Sequence, residues 1–257
     1  MTRSRVEVKP RQTDPMSQHL RGSTLLLMGR SVALAMNFLV QILTIQYLSK
    51  LDYGAFFFAT SFVAIASALT IFGLGRTARR FVPIYHEQQA YSKLCGSIAL
   101  MLGIILGIGM AIVLLVVGVA TLFGESMAAS PVAISLLLVL IALAPIEAID
   151  SFLISLFAVF AQPRAIFVRR YLVRPGLKLA AVGAVILGGG NVVMLAIGYL
   201  VGGILGLLVC LGLIVRVLRE QQLWKHFRGT LEYPTREILT YSLPQVGSDI
   251  AFQVHPD

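Results

Sequence analysis

Two sets of polar side chains interrupt otherwise apolar stretches of this sequence. The first set is Arg30, Asn37, Gln41 and Thr44, spaced by seven, four and three residues. At about 100° per residue of helix, the four side chains project within roughly 60° of one another. A guanidinium supplies fixed positive charge and planar donors, which is the chemistry that binds phosphate groups. Two simpler interpretations stay open: Arg30 can extend to lipid headgroups, and the amides can hydrogen-bond neighbouring helices.

The second set consists of charged side chains in two couples. Glu147 and Asp150 are three residues apart, and Arg174 and Lys178 are four residues apart, so each couple shares one helix face. Asp150 and Lys178 are equally far from the turn that joins their helices, which predicts that they pair at a similar depth. Charges inside an apolar stretch are costly unless they are paired or wet. The four residues therefore form either structural ion pairs or a gating or ion-coupling site.

The elements that position these side chains are long apolar blocks. The chain has 257 residues, of which 57% are hydrophobic and 13% are charged, about half the charge density of a typical soluble domain. Six blocks are long enough to cross about 30 Å of hydrocarbon. They cover residues 25–48, 54–74, 95–123, 132–160, 171–187 and 192–215.

The predicted fold class is all-α, a polytopic membrane protein with a six-helix transmembrane bundle. Lipid leaves no water for an open backbone, and the blocks lack the alternation of a β-barrel. Pro145 should kink the fourth span, because it removes the hydrogen bond to Ile141. We divide the chain into a cytoplasmic tail, the bundle, a cytoplasmic interfacial linker and the truncated start of a seventh helix. Their bounds are 1–24, 25–215, 216–237 and 238–257.

Glycines repeat every four residues in two of the spans. Gly198, Gly202 and Gly206 lie in span six, and Gly103 and Gly107 lie in span three. Because small residues let helix backbones approach closely, both repeats predict helix–helix contacts.

The basic residues alternate between the two sides of the bundle. Of 21 Lys and Arg, 17 lie in the tail and every second connection, one (Lys50) lies on the opposite side, and three lie inside spans. The positive-inside rule then places the N-terminus in the cytoplasm. The net charge of +9 reflects this topology, so no nucleic-acid partner is expected.

No enzyme motif accompanies these charges. The sequence has no Gly-rich phosphate loop, His-Glu-x-x-His, nucleophile elbow or Cys-x-x-Cys. We therefore predict no catalytic residue, no metal site and no cofactor. A membrane-embedded glycosyl- or acyltransferase is the rival from the enzyme class, and it would need a catalytic His or Asp near an interface.

One stretch resembles a known family. Residues 47–85 read YLSKLDYGAFFFATSFVAIASALTIFGLGRTARRFVPIY, with Asp-Tyr-Gly at 52–54, Gly-Leu-Gly at 73–75 and a basic run into Phe-Val-Pro at 81–83. They resemble the opening of polysaccharide-transporter flippases, within the multidrug/oligosaccharidyl-lipid/polysaccharide exporter superfamily. Tyr-Ser-Leu-Pro at 241–244 is similar to the start of that family's second half.

The resemblance implies half of a 12–14-helix transporter that flips undecaprenyl-diphosphate-linked oligosaccharides across the bacterial inner membrane by alternating access. Arg30, Asn37 and Gln41 would then contact substrate, with Arg30 on the cytoplasmic side of its span. The implied partners are the bilayer, the lipid-linked oligosaccharide diphosphate and polysaccharide assembly proteins. The alternative is a multidrug or cation exporter of the same superfamily, which would favour acidic groups such as Glu147 and Asp150 in its cavity.

Overall fold

The fold is all-α in a computed structural model that describes residues 15–71, 73–123, 131–160, 162, 166–220, 232–235, 237–238 and 240–241. Within these ranges every regular element is helical. The α-helices are α1 (Pro15–Tyr47), α2 (Lys50–Ile71), α3 (Leu74–Glu87), α4 (Tyr91–Phe123), α5 (Pro131–Leu140), α6 (Leu143–Val159), α7 (Arg174–Gly188) and α8 (Val192–Glu220). A π-helical segment, Phe167–Val173, leads directly into α7.

Within the described residues, six stretches are long and apolar enough to cross a membrane, which confirms the predicted number of spans. They are Leu27–Tyr47, Lys50–Glu87, Tyr91–Leu122, Pro131–Val159, Phe167–Gly188 and Val192–Glu220. The chain is therefore a multi-pass membrane protein. α1 begins inside the predicted tail, and α8 continues five residues into the predicted linker. The rest of the tail, and most of the predicted linker and seventh helix, lie outside the described residues.

The second span continues into an amphipathic helix, within the stretch between residues 74 and 95 that was predicted as a connection between spans. Gly73 has a positive φ of 69° and separates α2 from α3. Leu74, Ala78 and Val82 are fully buried, and α3 packs against α4 and α6. Their spacing of four residues indicates an amphipathic helix in the sequence, but the exposed arginines between them make the segment look like a polar connection.

The fourth span breaks where Pro145 predicted a kink. α5 ends at Leu140 and α6 begins at Leu143. Pro145 has no N–H to donate to the carbonyl of Ile141. That carbonyl instead accepts a hydrogen bond from the Ala144 N–H at 2.9 Å. A Cβ on Gly109 of α4 would lie 2.7 Å from the Pro145 side chain, so α4 packs closely against the break.

Two apolar clusters form the core, one toward each end of the bundle. One contains Leu74, Met101 and Phe152, and the other contains Leu140 and Leu195. In both α6 and α8, the N-terminal residues belong to the second cluster and the later residues belong to the first. The charged side chains of α6 therefore lie near the junction of the two clusters.

The spacing of α1 from its neighbours is fixed by a hydroxyl and by a glycine. The Tyr47 hydroxyl shares its single proton between the carbonyl oxygens of Gly190 (2.9 Å) and Val185 (3.3 Å), at the end of α7 and the turn that follows it. Near the other end, a Cβ on Gly29 would lie 2.7 Å from the rings of Phe167 and Tyr171. α1 therefore lies against the π-helical segment and α7, which brings Arg30 beside them.

Candidate functional site

The π-helical segment positions two consecutive arginines on different sides of span five. The Arg174 N–H donates to the carbonyl of Arg169, five residues earlier. Pro175 follows, and it can neither donate a hydrogen bond nor tolerate a regular α-turn before it without a clash. The wider turn relieves this conflict, and such turns are frequent at functional sites. Pro175 indicated a distorted turn before it, but this turn was not predicted, because span five was predicted to begin only at residue 171.

Asp150 pairs with Arg169 and not with Lys178, so the predicted partner was wrong. Arg169 Nε donates to Asp150 Oδ1 at 2.7 Å, and the two residues are only 3% and 2% exposed. The prediction from equal distance to the turn failed because it placed Arg169 in the connection before span five. Span five in fact begins at Phe167, and the π-turn directs Arg169 toward α6.

Gly206 makes room for the buried guanidinium. A Cβ at this position would lie 2.9 Å from Arg169 Nη2. The preceding glycines of the repeat contact α7: a Cβ on Gly198 would lie 3.1 Å from that of Ala181, which confirms the packing predicted for span six. The repeat in span three has no described heavy atom within 4 Å of either added Cβ, so its predicted contact is not made within the described chain.

The second carboxylate also pairs with an arginine. Arg174 Nη2 donates to Glu147 Oε1 at 2.6 Å, with the side chains 37% and 24% exposed. Lys178 instead lies with its Nζ 5.3 Å from the centre of the Tyr199 ring, a distance that permits a cation–π interaction. Both acidic residues of the predicted gating or ion-coupling site are thus paired with arginines of span five.

A cavity of about 550 Å³ lies between α1 and span five. Its polar walls carry four basic residues, an amide and a phenol: Arg30, Arg170, Arg174, Lys178, Asn37 and Tyr171. No carboxylate lines it among the described residues. We call it the cationic cavity. The structure therefore brings two of the three predicted substrate residues together with four side chains of span five.

The remaining polar residues of α1 do not contribute to this cavity. Gln41 is exposed and is not among the lining residues. The buried Thr44 hydroxyl donates to the Val40 carbonyl at 2.7 Å. Asn37, which does line the cavity, donates through Nδ2 to the Ala33 carbonyl of its own helix at 2.8 Å, so the interhelical hydrogen bond considered for this amide is not seen among the described residues.

The free charge of the cationic cavity comes from three residues. Within the described ranges, Arg30, Arg170 and Lys178 make no ion pair, whereas Arg174 is held by Glu147. A wet cavity with fixed guanidinium and ammonium groups is suited to bind an anionic group. No group of three His, Cys, Asp or Glu that could hold a metal occurs among the residues placed by the structure.

Comparison with known proteins gives a family and a fold. The profile of the family described as polysaccharide biosynthesis protein matches residues 19–255. No curated protein matches the sequence significantly.

Two solved transporters of the MOP superfamily have a similar fold. One, from Pyrococcus furiosus, has a TM-score of 0.61 at 17% identity, over 91% of this chain and 53% of its own. The other, an outward-facing multidrug resistance MATE family transporter, has a TM-score of 0.62 at 20% identity, over the same shares. The chain spans about half the length of these transporters.

Proposed function

Because the chain belongs to the polysaccharide biosynthesis protein family, we propose that it flips a lipid-linked oligosaccharide across the bacterial inner membrane by alternating access. In this proposal it acts as one half of a transporter that is completed by a second half. The observation that carries the proposal is the cationic cavity, where Arg30 of α1 faces Arg170, Arg174 and Lys178 of span five.

The proposed substrate is a diphosphate-linked lipid, which matches the charge of this cavity. A diphosphate headgroup that leaves water for a region of low dielectric needs compensating charge, and unit charges 4 Å apart at an effective dielectric of 20 attract by about 4 kcal/mol. Arginine adds a planar fork that fits phosphate oxygens in a bidentate way. Three residues, Arg30, Arg170 and Lys178, have no carboxylate partner within the described ranges, so their charge is available to substrate.

The rival function, multidrug or cation export, requires acidic groups that face the substrate. Asp150 is buried against Arg169, Glu147 is held by Arg174, and neither lines the cationic cavity. In the Pyrococcus furiosus transporter a reverse polarity of the binding pocket suggests a different function, so pocket polarity is an informative property within this fold. The polarity observed here supports an anionic substrate.

Substitution of Arg30 tests the proposal. In a strain whose only flippase is this protein, in its complete reading frame, Arg30→Ala should abolish polysaccharide export while the protein still inserts. Arg30→Lys keeps the charge but loses the bidentate fork, so it should retain only part of the activity. The control is Arg216→Ala, which removes an exposed arginine far along α8 and should leave export unchanged. Wild-type export by stably inserted Arg30→Ala would remove Arg30 from the substrate site.

The proposed orientation has the N-terminus in the cytoplasm, and it rests on the asymmetry of basic residues. Reporter fusions after Lys93, Ala165 and Lys225 should therefore show cytoplasmic activity. Fusions after Asp52, Glu125 and Asn191 should show periplasmic activity. Ala165, Lys225 and Glu125 lie outside the described residues, but the alternation of six spans fixes their expected sides. A periplasmic signal at Ala165 would contradict this topology.

A further inference from the structure

Part of the chain that follows span six lies against the corner formed by α3 and the start of α4. Its described residues are 232–235, 237–238 and 240–241, and those from 235 onward are helical. The helix begins with a hydrogen bond from the Ile238 N–H to the Pro234 carbonyl at 3.1 Å. We call these residues the docking segment. They span the predicted boundary between the interfacial linker and the seventh helix.

An apolar side chain anchors the docking segment in the bundle. Ile238 is fully buried and belongs to the same apolar cluster as Leu74 of α3 and Leu94 of α4. The backbone also packs closely, because a Cβ on Gly96 of α4 would overlap with the backbone carbonyl of Glu232. Full burial and close backbone contact are properties of a folded core. The docking segment is therefore part of the packed structure of the first six spans.

The polar contacts around this anchor join donors of the bundle to acceptors of the docking segment. The Tyr85 hydroxyl of α3 donates to Glu237 Oε2 at 2.8 Å. Lys93 Nζ of α4 lies 3.9 Å from Glu232 Oε2 in an exposed pair, which adds little stability by itself. Both described carboxylates of the segment thus meet a donor, so the two surfaces are complementary in polarity.

The end of the docking segment contacts α3 through aromatic rings. The Tyr241 ring lies edge to face against Phe81, with 5.5 Å between the ring centres. The guanidinium carbon of Arg80 lies 4.4 Å from the centre of the Tyr241 ring, a distance that permits a cation–π interaction. Tyr241 is also the first residue of the Tyr-Ser-Leu-Pro stretch. α3 therefore contacts the chain where, in the proposed function, the second half begins.

We propose that the corner of α3 and α4 is the surface by which the first half of the transporter holds the start of its second half, and that this contact stays closed while the halves move. The proposal rests on the proposed function in one respect, namely that a second half follows. Alternating access rocks one half against the other. Release of the docking segment would expose Ile238 to water, which is unfavourable. A closed contact fixes one point of the motion, so the halves separate elsewhere.

The test is cysteine labelling of the complete protein in growing cells with a membrane-permeant maleimide. Ile238 is buried and Thr235 is exposed, so a cysteine at 238 reacts only when the contact opens. We expect Ile238→Cys to react about tenfold or more slowly than Thr235→Cys. The native cysteines, Cys95 and Cys210, are buried, and the wild-type protein gives their background. Equal rates for the two variants, or slow labelling of Thr235→Cys, would overturn the proposal.

A second substitution opens the contact. Gly96→Val places a side chain where the Glu232 carbonyl lies, so it should raise the labelling rate of Ile238→Cys to that of Thr235→Cys. The matched control is Gly103→Val in the same helix, where no described heavy atom lies within 4 Å of an added Cβ. It should leave the slow rate unchanged. Continued slow labelling with Gly96→Val, or an equal increase with Gly103→Val, would overturn the proposal.

Hydrogen exchange of the wild-type protein needs no substitution. A single turn of helix does not persist in isolation, so the Ile238 N–H is protected only while the docking segment stays in contact with the bundle. Peptides that contain residue 238 should exchange slowly, and exchange as fast as in the denatured protein would overturn the proposal. Neither measurement detects a transported substrate. A failure of polysaccharide export would therefore reject the proposed function and leave these results intact.

Discussion

Two neighbouring arginines, Arg169 and Arg170, differ completely in what they contact. Arg169 is 3% exposed and bonded to Asp150. Arg170 is exposed and lines the cationic cavity, and its guanidinium carbon lies 6.0 Å from the centre of the Tyr171 ring. Consecutive helical residues project about 100° apart, so the two side chains leave the same span in different directions. Adjacent identical side chains can thus differ in surroundings, one bonded to Asp150 inside the bundle and one facing the cationic cavity.

The comparison extends to the two cavities behind these residues. A cavity of about 40 Å³ among α6, span five and α8, here called the inner pocket, contains both carboxylates of α6, and each is paired. The cationic cavity contains only basic charges among its described lining residues. A change in the inner pocket should therefore act first on stability, and a change in the cationic cavity should act first on transport.

The largest effect on stability is expected for Asp150→Ala, which leaves the guanidinium of Arg169 buried without its partner. Removing one member of a buried pair costs about 3–5 kcal/mol. The double variant Asp150→Leu/Arg169→Met removes both charges and should recover most of that loss. Denaturation of the detergent-solubilised protein measures both free energies of unfolding.

The matched control is Glu220→Gln, which breaks the exposed pair with Arg216 on α8. Exposed pairs of this spacing contribute about 0.3–0.5 kcal/mol. The buried pair does not stabilise the bundle if Asp150→Ala lowers the free energy of unfolding no more than Glu220→Gln does. The same conclusion follows if the double variant loses as much stability as Asp150→Leu and Arg169→Met lose together as single variants.

A smaller effect is expected for Gly206→Ala. Its Cβ would lie 2.9 Å from Arg169 Nη2, and Asp150 holds that guanidinium in place. The resulting displacement should cost about 1–3 kcal/mol in the same denaturation experiment. Gly103→Ala is the control: no described heavy atom lies within 4 Å of the added Cβ, so it should be neutral or gain up to about 1 kcal/mol from helix propensity. Equal stabilities for the two variants would show that Gly206 does not accommodate Arg169.

The overall architecture could be predicted from the sequence because lipid imposes strong constraints on it. Apolar blocks long enough to cross the bilayer must become helices. Pro145 removes a backbone hydrogen bond, so it interrupts the helix before it. The repeat of Gly198, Gly202 and Gly206 also predicted a packing face, because small residues let helix backbones approach closely.

The pairing of charges could not be predicted in the same way. It depends on rotation about the helix axis, and the π-turn before Pro175 changes that rotation for Arg169 and Arg170. The stripe on α1 was only half informative for a related reason. Arg30 and Asn37 line the cavity, whereas Gln41 does not, and residue spacing along one helix does not show which of its polar side chains meet a cavity of the neighbouring helix.

The most direct test of this account compares Arg169→Gln with Arg170→Gln. Both substitutions remove one positive charge, at consecutive positions of the same turn. Export per inserted molecule is measured together with the thermal stability of each purified variant. We predict that Arg169→Gln lowers the Tm and the amount of inserted protein, whereas Arg170→Gln keeps the wild-type Tm and loses export per molecule. Wild-type export by Arg170→Gln, or equal losses of Tm in the two variants, would contradict the division between paired structural charges and free cavity charges.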